Sequence, residues 1–303
     1  MTNAVNTDAG DPANFSSLAS LASLANEGHA VIVRDAQGVL FVTLNVPTTR
    51  NALAPEVVAA LARAVERAET DTTVRALVLR GAGGVFCAGG NVGNFKARLD
   101  AGDAPQDPVA SRNREFGYFM QRLAALPVPV VAAVEGAAMG GGMGLSCAAD
   151  IVLATRDARF ALSETSLGII AAQIAPFVVA RIGAAATRRL GLSGERVNGD
   201  TAVALGLADA LAEDSAALDA LLAEWLTRIC RCGPQANRAF KPLVARTGLV
   251  AQGTLLDEAS HLFAQCMRSE GAEGIQAFRD KRDAAWVVRF DAAAVRAAQA
   301  TQG

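Results

Sequence analysis

Apolar positions along this 303-residue chain change their spacing several times, and each change marks an element. Residues 30–34 and 39–45 are strand-length apolar runs on either side of Asp35-Ala36-Gln37-Gly38, which predicts a hairpin. Pro55-Glu56 then opens a stretch with Val57, Val58, Leu61, Val65 and Ala68 on one helical face. A continuous apolar strand is expected at 74–80. The order returns as a helix at 112–126 and a strand at 128–134. Strand–helix–strand succession of this kind implies parallel crossovers. Between them, residues 91–114 have no clear period and contain Gly102, Pro105 and Pro108, which predicts a long mobile loop beside the functional site. Beyond a strand at 150–155 the pattern becomes mostly helical, at 174–182, 184–192, 201–205, 215–232, 235–247, 253–268 and 270–287. The fold class is α/β, with a core over 29–210 and a helical region over 211–303. Residues 1–28 carry three Ser-Leu-Ala triplets and an Ala/Ser/Asn/Asp bias; they read as a loose extension dispensable for catalysis and assembly.

Two glycine-rich turns interrupt the pattern directly after buried strands. They are Val85-Phe86-Cys87-Ala88-Gly89-Gly90 and Met139-Gly140-Gly141-Gly142-Met143-Gly144. Glycine lets the backbone take unusual dihedrals and present its N–H groups. Two converging N–H donors can hold a carbonyl oxygen that gains negative charge. Taken singly, each turn would read as tight helix–strand packing.

Composition narrows the function classes. Hydrophobic residues make up 51% of the chain and charged residues 19%, so it buries a core. The net charge of −2 without a basic block argues against nucleic acid as a partner. No apolar run reaches membrane-span length. Residues 1–28 lack a basic segment before an apolar core, and the first arginine is Arg34, so neither a secretory signal nor an arginine-rich transit peptide is expected. Five cysteines, an odd number, fit a reducing cytoplasm. Cys87 and Cys147 read as small buried thiols, and Cys230-Arg231-Cys232 as helix surface. With only His29 and His261 available, no metal site is expected.

The stretch from Val130 to Ile151, with its Met139-Gly140-Gly141-Gly142 centre, resembles the signature of the crotonase (enoyl-CoA hydratase/isomerase) superfamily. Arg50-Asn51-Ala52-Leu53, Phe86 to Asn91, Phe160 to Glu164 and Ala277 to Arg282 resemble further family motifs in the family's order. The resemblance spans about residues 30–287. It implies a ClpP/crotonase-like spiral of ββα units followed by a C-terminal helical trimerisation region. It also implies a homotrimer or homohexamer acting on an acyl-CoA thioester, with no separate cofactor. Motif position places the oxyanion donors at the N–H groups of Gly90 and Gly141, and the proton-transferring carboxylate at Glu164. An apolar setting would raise the Glu164 pKa, which suits a group that both gives and takes a proton. Ser163 to Ser166 alone would instead read as a helix cap. Arg50, Ala52, Ala88, Phe263 and Lys281 match coenzyme A contacts. Lys281 reads equally as part of a solvated charge cluster, Arg279 to Asp283.

Two departures from the family pattern bear on substrate. Straight-chain hydratases of the family carry a second glutamate where this chain has Gly144, and Asn91 stands in place of a common aspartate. The stretch from Ser163 to Phe177 lacks a Gly-Gly-Thr segment and resembles a branch acting on 3-substituted glutaconyl-CoA esters, in leucine and acyclic-terpene breakdown. The expected activity is hydration of isohexenylglutaconyl-CoA or 3-methylglutaconyl-CoA, with a straight-chain hydratase, an isomerase and a weakly catalytic CoA-ester-binding subunit as alternatives. Gly144 is expected to remove a repelling charge and to make room for a C3 branch. Arg112, Arg114 and Arg122 are candidates for the cation that would hold the substrate carboxylate.

Overall fold

The computed structural model describes residues 30–90 and 107–300. The chain opens with a hairpin, β1 (Val31–Ala36) and β2 (Val39–Leu44), closed by Gln37-Gly38. Both turn residues have positive φ, 55° and 83°, the backbone that a two-residue hairpin turn demands. Helix α1 (Pro55–Thr70) crosses to β3 (Ala76–Gly81), and α2 (Pro108–Ala125) crosses to β4 (Val130–Val134). There follow β5 (Ala137–Met139), α3 (Gly141–Cys147), β6 (Ile151–Thr155) and β7 (Arg159–Ala161). Next come α4 (Ala175–Ser193), β8 (Arg196–Asn198), α5 (Gly199–Ala204) and β9 (Ala210–Ala212). The chain ends in α6 (Ser215–Arg231), α7 (Pro234–Ala245), α8 (Gln252–Arg268), α9 (Glu270–Arg279) and α10 (Ala292–Gln299).

The main sheet has the order β1-β2-β3-β4-β6-β9, parallel except for the β1–β2 hairpin. Its central strands are buried on both faces, which is why they read as unbroken apolar runs. Alternation still sorts their side chains. Leu40, Val42, Leu77, Leu79, Val130 and Ala132 face the cluster containing α1 and α2, while Phe41, Val78, Val131 and Leu153 face α6 and Val295 of α10. A second sheet, β5-β7-β8, stands apart from the first, and the two glycine turns lie where the sheets approach. This is the α/β spiral with trailing helices that the resemblance implied.

Several expectations are corrected. Residues 108–114 are helical rather than loop: Pro108 opens α2, and the Asp107 carboxylate accepts from the N–H groups of Val109 and Ala110. The rest of that loop, with Asn91, and residues 1–28 lie outside the described residues. The helix expected over 270–287 stops at Arg279, because Glu273 pairs with Arg282 and accepts from the Ala285 N–H, folding the chain back. Helix α10 was not expected at all. The break at Gly183, φ 76°, separates the two helical stretches of α4 as the pattern indicated. Cys230 is buried in the α6 core rather than on the surface, whereas Cys232 is exposed.

Helices α7 to α9 form an outlying layer. Arg238 donates to the carbonyls of Asp71 and Val74, and Lys241 donates to the Val128 carbonyl and pairs with Asp150 at 2.6 Å. This layer carries a run of exposed apolar side chains, among them Phe240, Val244, Leu256, Phe263 and Phe278.

Candidate active site

A short backbone ladder joins the two glycine turns. The N–H of Phe86 donates to Glu135 at 2.8 Å and that of Cys87 to Ala137 at 2.9 Å; Met139 returns a bond to Cys87 at 3.0 Å. The opening segment 50–54 grips the first turn from outside: Ala88 donates to the Arg50 carbonyl at 3.0 Å and Leu53 to that of Gly89 at 2.8 Å. The approach leaves no space for side chains. A Cβ on Gly142 would lie 2.4 Å from the Cys87 carbonyl oxygen, and one on Gly89 would lie 2.8 Å from that of Met139. Gly89, at φ 94°, also adopts a conformation that side chains disfavour.

The ladder brings two amides to one spot. A Cβ built on Gly141 would stand 4.0 Å from the Gly90 nitrogen, and neither the Gly90 nor the Gly141 N–H has a partner among the described residues. Gly141 is the first residue of α3, so the orphan amides and positive end of that helix add to the same field. Leu53 and Phe116 wall the spot with carbon: Leu53 Cδ1 is 2.7 Å and Phe116 Cζ 3.8 Å from the Gly141 Cβ position. Two fixed donors under apolar cover can stabilise an enolate oxygen.

Glu164 reaches the same place from β7. The Ala161 carbonyl accepts from Gly140 at 2.9 Å, and three residues later the chain turns into a short 3-10 helix whose first residue is Glu164. Its Oε1 lies 2.7 Å from where a Cβ on Gly140 would sit, so glycine at 140 is what admits the carboxylate. Oε2 is buried without a hydrogen-bond partner among the described residues. Burial raises the carboxyl pKa above the ordinary 4.5, against a smaller lowering by a backbone N–H. Ser163 makes no side-chain cap to this turn, and Glu164 is its first residue.

The expectation of extra room at Gly144 is wrong. A Cβ there would lie 2.3 Å from Ile174 Cγ2, because the Ile174 side chain already fills the space. The exchange replaces a charge with an apolar wall and opens no cavity. Cys87 and Cys147 are buried thiols, as expected, and burial pushes each to a pKa of about 12; neither supplies a thiolate.

The proposed coenzyme A contacts divide into two groups. Arg50, Ala52 and Ala88 are held together beside Gly90 through their backbones. Arg50 also lines a cleft of about 540 Å³ with Met139, Arg159 and Arg196. Phe263, 69% exposed on α8, and Lys281, exposed just past α9, belong to the outlying layer, which packs largely on itself. Among the candidate cations, Arg122 is committed to Glu69 through two hydrogen bonds.

Sequence reasoning missed Asn51. It is fully buried at φ 57°; its side chain accepts from the Val46 N–H and donates to the carbonyls of Ala82 and Val85, pinning the opening segment to the first turn. Asparagine tolerates this left-handed backbone, and that was the available signal. Phe116 and Gln173 were also missed, since only the fold brings them to the glycines.

Two predictions follow from this geometry. Gly141→Pro deletes an amide at the first helical position, where proline is tolerated, and its Cβ would meet the end of Leu53. A folded variant, verified by circular dichroism, is expected to lose about 10²–10³ in kcat. For Glu164→Gln, the sign of the pKa shift sets the outcome. The carboxylate is penalised only in the folded protein, so it lowers stability at neutral pH, and the penalty vanishes below 4.5, where both states are protonated. The variant is therefore expected to melt above the wild type near about pH 7, with the margin closing towards about pH 4.

A family profile for enoyl-CoA hydratase/isomerase matches residues 34–289. An enoyl-CoA hydratase/isomerase from Marinobacter aquaeolei superimposes with a TM-score of 0.82 at 41% identity, covering 86% of this chain and 99% of that one. Pseudomonas aeruginosa AtuE gives 0.82 at 43% identity, covering 86% and 100%. The mitochondrial methylglutaconyl-CoA hydratase of Mus musculus is 31% identical over 259 residues, 81% of this chain and 78% of its own. The chain belongs to the enoyl-CoA hydratase/isomerase family, whose enzymes act on acyl-CoA thioesters.

Proposed function

We propose that this enzyme hydrates a 3-substituted glutaconyl-CoA, of the isohexenylglutaconyl- or 3-methylglutaconyl-CoA type. The observation that carries the reading is the exchange at position 144: where straight-chain hydratases place a second acid, this chain has Gly144 under Ile174. A glutaconyl ester brings its own carboxylate, and a facing glutamate in a poorly solvated pocket would repel it. The resemblance of residues 163–177 to the glutaconyl branch and the similarity to the mouse methylglutaconyl-CoA hydratase support the same substrate class.

A single carboxylate accounts for the chemistry. The thioester oxygen accepts from the N–H groups of Gly90 and Gly141, which draws electron density from C3. Glu164 takes a proton from water as the water oxygen bonds to C3, and the C2–C3 π electrons pass to the thioester as an enolate. The enolate collapses as C2 takes the proton from the Glu164 carboxylic acid. The net change is addition of H and OH, and Glu164 returns to its starting state. A pKa raised by burial suits both halves of that cycle.

A single acid suits isomerisation as well, because one carboxylate can carry a proton between C2 and C4. Absorbance of the conjugated thioester separates the two: hydration removes it, and isomerisation of a 3-enoyl ester creates it. A hydration assay is expected to give a kcat/KM for a 3-substituted glutaconyl-CoA at least roughly tenfold above that for crotonyl-CoA. Glu164→Gln is expected to abolish turnover while retaining ester binding. Equal rates on the two substrates would overturn the substrate class, and full activity of the variant would remove Glu164 from the mechanism.

The same reading includes self-association. Phe278, 84% exposed, and Phe263 lie among a series of apolar side chains on α7 to α9, too extensive a surface for a monomer to leave wet. A trimer or hexamer would cover it and bring Phe263 and Lys281 towards a neighbouring site. Light scattering is expected to return three or six times the 31.2 kDa chain mass, and a monomer would refute this.

A further inference from the structure

We propose that Arg114, set in place by Gln173, is the residue that recognises a carboxylate at the far end of the acyl chain. The inference deepens the substrate reading above and rests on it. It starts from α2, whose side chains at 113, 116, 117 and 120 share one helical stripe. Phe116 of that stripe covers Gly141, and Met120 is fully buried. Gly117 forms a notch in it. A Cβ there would lie 1.9 Å from Gln173 Oε1 and 2.6 Å from Arg114 Nη1, so the missing side chain makes room for an amide and a guanidinium.

Among the described residues, the groups that contact one another in this notch are neutral apart from the arginine. Gln173 Nε2 donates to Asn113 Oδ1 at 3.0 Å, and its Oε1 faces Arg114 Nη1 at 3.5 Å. Arg114 Nη2 donates to Gln121 Oε1 at 2.8 Å, and the guanidinium stacks on the Tyr118 ring at 3.8 Å. No ion pair involves Arg114 among the described residues, whereas Arg122 on the same helix is fully engaged by Glu69. A half-buried guanidinium oriented by two amides and an aromatic ring keeps its fork geometry and has donors to spare, and a planar carboxylate matches that fork.

Position completes the argument. Gln173 is adjacent to Ile174, the side chain that covers Gly144, and Gly117 directly follows Phe116, which covers the oxyanion amides. Four C–C bonds of an extended chain carry C5 about 5 Å from the thioester carbon. We place the terminal carboxylate of a glutaconyl ester, its carbonyl held between Gly90 and Gly141, at this notch. Arg112, the remaining cation of this helix, is exposed, and no side chain fixes it among the described residues.

The test compares kcat/KM for 3-methylglutaconyl-CoA and crotonyl-CoA in the wild type, Arg114→Gln, Arg114→Lys and Arg112→Gln, with inhibition by the saturated analogues glutaryl-CoA and butyryl-CoA measured alongside. Arg114→Gln is expected to cut the glutaconyl-to-crotonyl ratio at least about tenfold, chiefly through KM, and to remove any preference for glutaryl- over butyryl-CoA. Arg114→Lys should restore part of both, and Arg112→Gln should leave the ratio at the wild-type value. A wild-type preference that survives Arg114→Gln, or collapses in Arg112→Gln instead, overturns this assignment and leaves the substrate class standing. A wild type without preference in turnover overturns the substrate class; the inhibitor pair then decides the clamp, and equal inhibition by glutaryl- and butyryl-CoA rejects it.

Discussion

The contact on which the rest of this site depends is backbone against backbone. The turns at 85–90 and 139–144 lie so close that carbonyl oxygens of one occupy the space where side chains of the other would begin. Three amide–carbonyl bonds, from Phe86, Cys87 and Met139, fix their register, and Leu53 and Asn51 hold the first turn from behind. Each neutral hydrogen bond contributes only about 1 kcal/mol net. Their value here is positional, because together they hold two donor amides within reach of one oxygen. Amides fixed by folding need not reorganise as charge develops, and that is what makes such a pair effective.

Glu164 depends on the same constraint. Glycine at 140 is required twice, once for its φ of 48° and once because any side chain would collide with the carboxylate. The turn that presents the Gly141 amide thus also sets the distance of the acid from it. The cost is visible in the unpartnered Oε2 and in the raised pKa. A buried carboxylate without a cationic neighbour is poorly stabilised in its charged form, which is an unfavourable arrangement for stability and a favourable one for proton transfer.

The local sequence revealed what local physics decides. The hairpin, the crossovers, the Gly183 break and both glycine turns were legible because they arise from periodicity and from the dihedral freedom of single residues. The site's walls were not, since contacts distant in sequence make them. Ile174 meets Gly144, Gln173 meets Gly117, and Asn51 spans to Ala82 and Val85. The early end of α9 has the same origin: the Glu273–Arg282 pairing reverses a segment whose own composition reads as helix. Helix α10 is held by Asp219, which pairs with Arg80 at 2.5 Å and Arg296 at 3.0 Å, from a strand and a helix more than a hundred residues apart.

The filled space at Gly144 changes how specificity must be understood. Had the glycine opened a cavity, preference for a branched ester would come from volume, and a pocket gains little from an added methylene, about 1–3 kcal/mol at most. Ile174 removes that route. Among the described residues, the surroundings of the two amides hold an acid at Glu164 and carbon at Leu53 and Phe116, with Ile174 over Gly144; the cation proposed at Arg114 would add a charge of opposite sign. Charge recognition inside apolar walls discriminates more steeply than shape, because the wrong substrate leaves a polar group unpaired while the right one pairs it.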